Sequence, residues 1–95
     1  MSSGETLPAA QAGTVESMDC LVTIAASSGG RRIEISGSGA ARFRSAMENK
    51  IIQVLDSLGG PGDLSVTVQD NGALDIVLGA RVEAAYLRFR EAMLR

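Results

Sequence analysis

The chain reads as an α+β fold in the order β-β-α-β-β-α, a four-stranded, largely antiparallel sheet with two helices on one face. Three observations predict it. Apolar and polar residues alternate in four short runs, the period of a half-buried strand. Two longer segments repeat apolar residues every three or four positions, the stripe of an amphipathic helix. Three of the four strands keep a distinctly polar face, so helices should cover only the other one.

Residues 1–13, "MSSGETLPAAQAG", are rich in Ser, Gly, Ala and Pro without sustained periodicity, and predict a flexible N-terminal lead-in to one domain over residues 14–95. The first strand is expected over residues 18–26, where Met18, Cys20, Val22 and Ile24 share one parity against Asp19 and Thr23. Leu21 breaks the polar side. After the turn-forming "ASSGG", Ile33 and Ile35 face inward and Arg32 and Glu34 outward, predicting a strand over 31–36. Two such runs around a short Gly/Ser connection read as an antiparallel hairpin.

The period then changes. Phe43, Met47, Ile51, Val54, Leu55 and Leu58 form a helical stripe, predicting a helix near 38–58 with Ser38 as N-cap. Gly59 suits the position just past the helix, and Pro61 cannot continue it. Leu64, Val66 and Val68 alternate with polar neighbours over 64–69. "DNG", Asp70 to Gly72, is a strong hairpin signal, so a partner strand is expected over 73–78, with Leu74, Ile76 and Leu78 on one side. Val82, Ala85, Tyr86, Phe89 and Met93 then predict a helix near 79–94.

Composition narrows the chemistry. Ninety-five residues supply one modest core. The absence of histidine removes Ser-His-Asp and Cys-His catalysis and most metal sites, and a single cysteine, Cys20, excludes multi-cysteine zinc patterns. Nine basic and eleven acidic residues, net charge −2, are the wrong balance for nucleic acid. Phe43, Tyr86 and Phe89 are too few for a base-stacking platform. No apolar run reaches membrane-spanning length, and the N-terminus lacks the pattern of a secretory signal. A soluble, cytoplasmic protein without catalytic side chains of its own is the expectation.

Several motifs invite chemistry and have plainer explanations. "SGSGAARFR", Ser36 to Arg44, resembles a phosphate-cradling loop, yet the third glycine of the dinucleotide fingerprint and the Walker lysine are missing. Cys20 has the apolar parity of its strand and reads as inert packing. Asp75, Arg81 and Glu83 could make a charged patch or merely solvate a helix start. "DSL" around Ser57 resembles the attachment tripeptide of ordinary acyl carrier proteins, where the serine opens a helix; here it closes one.

"AGTVESMD", Ala12 to Asp19, resembles the attachment motif of the citrate lyase acyl carrier protein (gamma subunit) family. A second island, "DNGALDIVLGARVEA", resembles that family's Gly-Ala-Leu-Asp segment and the helix start after it, through Gly72, Ala73, Leu74, Asp75, Leu78, Ala80, Arg81, Glu83 and Ala84. The chain departs from the pattern at Met18, where a small residue is common, and in the loop at 37–39.

The resemblance implies a non-catalytic carrier. Its Ser17 would be esterified through a phosphodiester to 2′-(5″-phosphoribosyl)-3′-dephospho-coenzyme A, whose terminal thiol carries acetyl and citryl groups. The implied partners are a prosthetic-group transferase, the alpha (acyl transferase) subunit and the beta (lyase) subunit; no nucleic acid, membrane or metal is implied. Two readings stand for Glu16 and Asp19: contacts for the transferase, or charges that only keep the strand entrance solvated. Arg81 and Glu83 are expected on a surface used by a lyase subunit. A carrier of malonate decarboxylase or citramalate lyase, and an unmodified regulatory or interaction module, are the alternatives.

Overall fold

A computed structural model describes residues 8–94. Its elements run β1 (Ala9–Gly13), β2 (Asp19–Ala26), β3 (Arg32–Gly37), α1 (Ala40–Ser57), β4 (Leu64–Asn71) and α2 (Asp75–Met93). The class is the expected α+β, four strands and two helices, in a mostly antiparallel sheet. The order of elements is β-β-β-α-β-α, and three expectations about the strands are corrected.

The first correction concerns the N-terminal segment. Its residues 1–7 lie outside the described residues, but Ala9–Gly13 is an edge strand, antiparallel to β2, with Ala9 opposite Ala25 and Gly13 opposite Leu21. Nothing in "AAQAG" has strong strand propensity. Pairing and packing decide: Ala12 is buried, Gln11 Nε2 donates to Thr23 Oγ1 at 2.9 Å, and Arg88 of α2 donates to the Gln11 carbonyl at 2.7 Å. Small alanines let α2 lie close over this strand.

Second, β2 and β3 are not a hairpin. The sheet order is β1-β2-β4-β3, so β4 inserts between them, antiparallel to β2 and parallel to β3. A parallel pair needs a long connection, and α1 provides it. Alternation is the same whichever neighbour a strand takes, so parity could not reveal this.

Third, the segment expected as a strand over 73–78 is mostly the start of α2. Asp70 makes the difference. Its carboxylate accepts from the amides of Gly72 (3.1 Å) and Ala73 (3.0 Å), turning "DNG" into an Asx-type turn that launches a helix instead of a hairpin. Asp75 then sits in the first helical turn, where a negative charge complements the dipole. Leu78 is buried with Val82, Ala85, Tyr86 and Phe89, whereas Leu74 and Ile76 are exposed. A helical register beginning at Leu78 explains that split; alternation does not.

The remaining elements form where expected. α1 buries Met47, Ile51 and Leu55 against the sheet, and Gly59, with φ 71°, ends it while Gly60 N donates to the Leu55 carbonyl at 2.9 Å. Its N-cap is Gly39, not Ser38, and the cap comes from across the fold: Gly39 N donates to Asp70 Oδ2 at 3.0 Å. Phe43, expected on the buried stripe, has non-helical φ/ψ of −120° and 18° and is exposed, because the first turn of α1 is offset from the rest. Cys20, Val22 and Ile24 of β2 and Leu64, Val66 and Val68 of β4 form the floor of the core.

Candidate functional site

Ser17 lies in the turn between β1 and β2. Asp19 N donates to the Glu16 carbonyl at 3.2 Å, closing a tight turn with Ser17 and Met18 at its tip. Met18 adopts φ 64°, the left-handed conformation that the turn requires at this point. Ser17 is exposed, and its hydroxyl has no hydrogen-bond partner among the described residues.

The turn itself is held firmly. Met18 N donates to the Asn71 carbonyl at 2.7 Å, and Asn71 Nδ2 donates to the Val15 carbonyl at 3.0 Å. Thr14 Oγ1 accepts from Glu16 N at 3.2 Å and donates to Asp19 Oδ2 at 2.9 Å. Asp19 accepts in addition from Cys20 N at 2.7 Å and from two nitrogens of Arg81, Nε at 3.0 Å and Nη2 at 3.1 Å. The Arg81 fork, followed by the backbone amide, holds the Asp19 carboxyl down to about 2, while the same pairing raises Arg81.

Gly13 makes this bracing possible. Its φ is 96°, and a Cβ there would collide with the Cys20 carbonyl and come within 3.1 Å of the Arg81 stem. A side chain at 13 would force β1 away from the Cys20 backbone and crowd the arginine stem.

The expected site residues therefore divide. Ser17, Glu16 and Asp19 share one turn, and Arg81 joins them from 62 positions away in sequence. Glu83 is exposed on α2, Asp75 pairs with Lys50 at 2.9 Å and Arg81 with Asp19, so of the two readings for Asp75, Arg81 and Glu83 the plainer one, separate side-chain pairs and a solvated helix start, holds over a shared charged patch. Ser57 ends α1 with its hydroxyl on the Val54 carbonyl at 2.8 Å. The glycine-rich loop is no phosphate cradle either. The amide of Gly39 already meets Asp70, and a Cβ at Gly37, whose φ is 105°, would clash with the Asp70 carbonyl. Burial raises the Cys20 thiol to about 11, keeping it protonated and inert.

One feature escaped sequence reasoning. A groove of about 420 Å³ opens where the N-terminal ends of α1 and α2 meet, lined by Phe43, Met47, Leu74 and Leu78 with Asp70 and Asp75. Gly72 also lines it and lies against the Met18 backbone. The groove thus adjoins the Ser17 turn. Only the exposure of Phe43 and Leu74 marks it, and periodicity assigned both to the core.

Among the described residues, no helix is long and apolar enough to cross a membrane. The protein-family model for the malonate decarboxylase delta subunit (MdcD) acyl carrier matches residues 8–89. Citrate lyase acyl carrier protein 2 of Salmonella typhimurium is 42% identical over 83 residues, covering 86% of this chain and 84% of that protein. The citrate lyase acyl carrier protein of Klebsiella pneumoniae is 42% identical over 80 residues, covering 83% and 81%. A chain in the crystal structure of a Pseudomonas malonate decarboxylase hetero-tetramer in complex with malonate superposes with a TM-score of 0.65 at 24% identity, covering 86% of this chain and 84% of that one. A homoserine kinase from Cytophaga hutchinsonii gives a TM-score of 0.59 at 13% identity, covering all of this chain and 39% of that one, so the topology alone does not carry the activity. Sequence likeness over most of both chains does carry kinship: the protein belongs to the acyl carrier family that contains the malonate decarboxylase delta subunits and the citrate lyase acyl carrier proteins.

Proposed function

We propose that this protein is the acyl carrier subunit of a citrate lyase complex and that Ser17 is its attachment residue for 2′-(5″-phosphoribosyl)-3′-dephospho-coenzyme A. The observation that carries the reading is an exposed hydroxyl, without a hydrogen-bond partner among the described residues, at the tip of a turn braced from both sides. The donor set fits the group: forming a phosphodiester needs an accessible alcohol, and Ser17 offers one. Ser17 Oγ bonds to phosphorus, its proton passes to a base, and the leaving group of the nucleotide precursor departs. When bound, the group supplies a thiol on which acyl groups are carried as thioesters.

The chain's own part is mechanical. The Asp19–Arg81 pair and the Asn71 contacts fix the turn, so Ser17 is presented at a constant place while the tether raises the effective concentration of its load at each partner. The protein needs no catalytic group of its own; acyl transfer and cleavage belong to the alpha and beta partner subunits. Exposed Glu16 and Glu83 are assigned to contacts with the transferase and a lyase subunit respectively. The 8–89 match supports a second reading, the same carrier role in a malonate decarboxylase, and the 42% identity to citrate lyase carriers favours the first.

Coexpression with the transferase and its nucleotide precursor, followed by intact mass and peptide mapping, tests the assignment. Wild type should gain the mass of the group on the peptide that contains Ser17, and Ser17→Ala should gain nothing. An unmodified wild type, or an increment that survives in Ser17→Ala, overturns it.

A further inference from the structure

We infer that the groove between the N-terminal ends of α1 and α2 is a seat for the adenine base of the Ser17-linked arm. The inference rests on the proposed attachment at Ser17 and concerns where the arm lies afterwards.

Position is the first argument. In the arm, counting from the serine, adenosine follows directly after the phosphoribose, and the thiol is at the far end. The base is thus the first large apolar moiety that a tether from Ser17 brings to the neighbouring surface. That surface is the groove, which begins at Gly72 against Met18.

Charge selects the same moiety. The groove walls carry two carboxylates, Asp70, which accepts from three backbone amides, and Asp75, which pairs with Lys50 at 2.9 Å, and no basic side chain among their own lining residues. That lining supplies no cation of its own to the arm's phosphates or to an acyl group bearing carboxylates. A neutral, planar ring with an exocyclic amino group suits it, because carboxylates accept from an amino group and apolar walls cover the ring faces.

Phe43 completes the match. It is 53% exposed because the backbone breaks the helical path there, an unfavourable place for a large aromatic. Arg42 lies over the ring, 5.4 Å from its centroid, but is absent from the groove lining, so the groove side of the ring is left for stacking. Seating the base would shorten the free tether to the diphosphate and pantetheine portion, which swings between partners.

The test compares ¹H–¹⁵N spectra of apo protein and of holo protein whose modification at Ser17 is verified by mass. Amides of Gly39, Phe43, Ala46 and Leu78 should shift on modification, in addition to those of residues 14–18. Ala46→Arg, an exposed helical position on the groove wall, should abolish the groove shifts while keeping the mass increment and the turn shifts. Phe43→Ala serves as a second variant should the arginine disturb folding. Free adenosine added to apo protein should perturb the same amides, and ribose 5-phosphate should not. Shifts confined to residues 14–18 in a correctly modified holo protein overturn the groove assignment and leave the attachment intact. Groove shifts that appear only after a partner subunit is added overturn it too, placing a protein there. A wild type without modification at Ser17 removes the attachment and this inference together.

Discussion

Arg81 of α2 grips the carboxylate of Asp19 at the start of β2 with two nitrogens, at 3.0 and 3.1 Å, and thereby ties the Ser17 turn to a helix 62 residues further along the chain. A fork-to-carboxylate contact fixes direction as well as distance, which a lysine could not do. The pair joins the two sequence islands that resemble the carrier family, so their separation in the chain is resolved as contact in space.

The pair makes stability depend on acid. Asp19 is held at about 2 against an ordinary value of 3.8. A lowered folded value means that the contribution is complete above pH 3.8 and lost as pH falls toward 2. Asp19→Asn should flatten this part of the stability-against-pH curve, measured by urea unfolding. A curve identical to wild type would refute the role of the pair.

Arg81→Met should keep the fold and loosen the turn. Amides of residues 14–19 should exchange with deuterium faster than in wild type, while those of β4 stay protected. Transferase modification of Ser17 should slow because the hydroxyl is no longer presented at one place. Unchanged exchange would mean that the Asn71 contacts suffice.

Met18→Gly should stabilise the isolated domain. A left-handed conformation disfavours an L side chain by roughly 1–2 kcal/mol, and the extra freedom glycine gives the unfolded chain returns about 0.5–1. The net expectation is about 0.5–1 kcal/mol in the direction of stability, read from the denaturant midpoint. A destabilised variant would show that the Met18 side chain has a packing role its 62% exposure does not suggest.

Asp70→Ala should destabilise by about 2–3 kcal/mol, because three backbone amides, those of Gly39, Gly72 and Ala73, lose their acceptor together at a mostly buried position. Thermal melts and the exchange rates of those amides check it. A loss below about 0.5 kcal/mol would mean that water takes over the carboxylate's role.

Thiol reagents give a further check. Native apo protein should leave the buried Cys20 unreacted, and unfolded protein should expose one thiol. Native holo protein should present one reactive thiol, that of the arm. Rapid labelling of native apo protein would contradict the burial of Cys20.

Local patterning determined much of this protein. The α+β class, the stripe of Met47, Ile51 and Leu55, the alternation of Cys20, Val22 and Ile24, and the stop at Gly59 all follow from short-range periodicity and backbone freedom, which neighbours in sequence settle between themselves. Ser17 stood out through its motif, in a segment of chain read as a mobile lead-in meeting a strand. What only the tertiary structure decided is what depends on distant partners. Ala9–Gly13 becomes a strand because β2 and α2 receive it, although its own residues favour no strand. Residues 73–78 enter a helix because Asp70 captures two amides after the turn, a hydrogen-bond choice that hydrophobic alternation does not encode. β4 separates β2 from β3 because pairing depends on neighbours, and a single strand's pattern names none. The candidate site is divided in the same way: Ser17, the proposed attachment residue, is legible in one octapeptide, but the Asp19–Arg81 contact that braces its turn and the groove beside it arise only when the fold brings residues 19, 43, 72 and 81 to one end of the sheet.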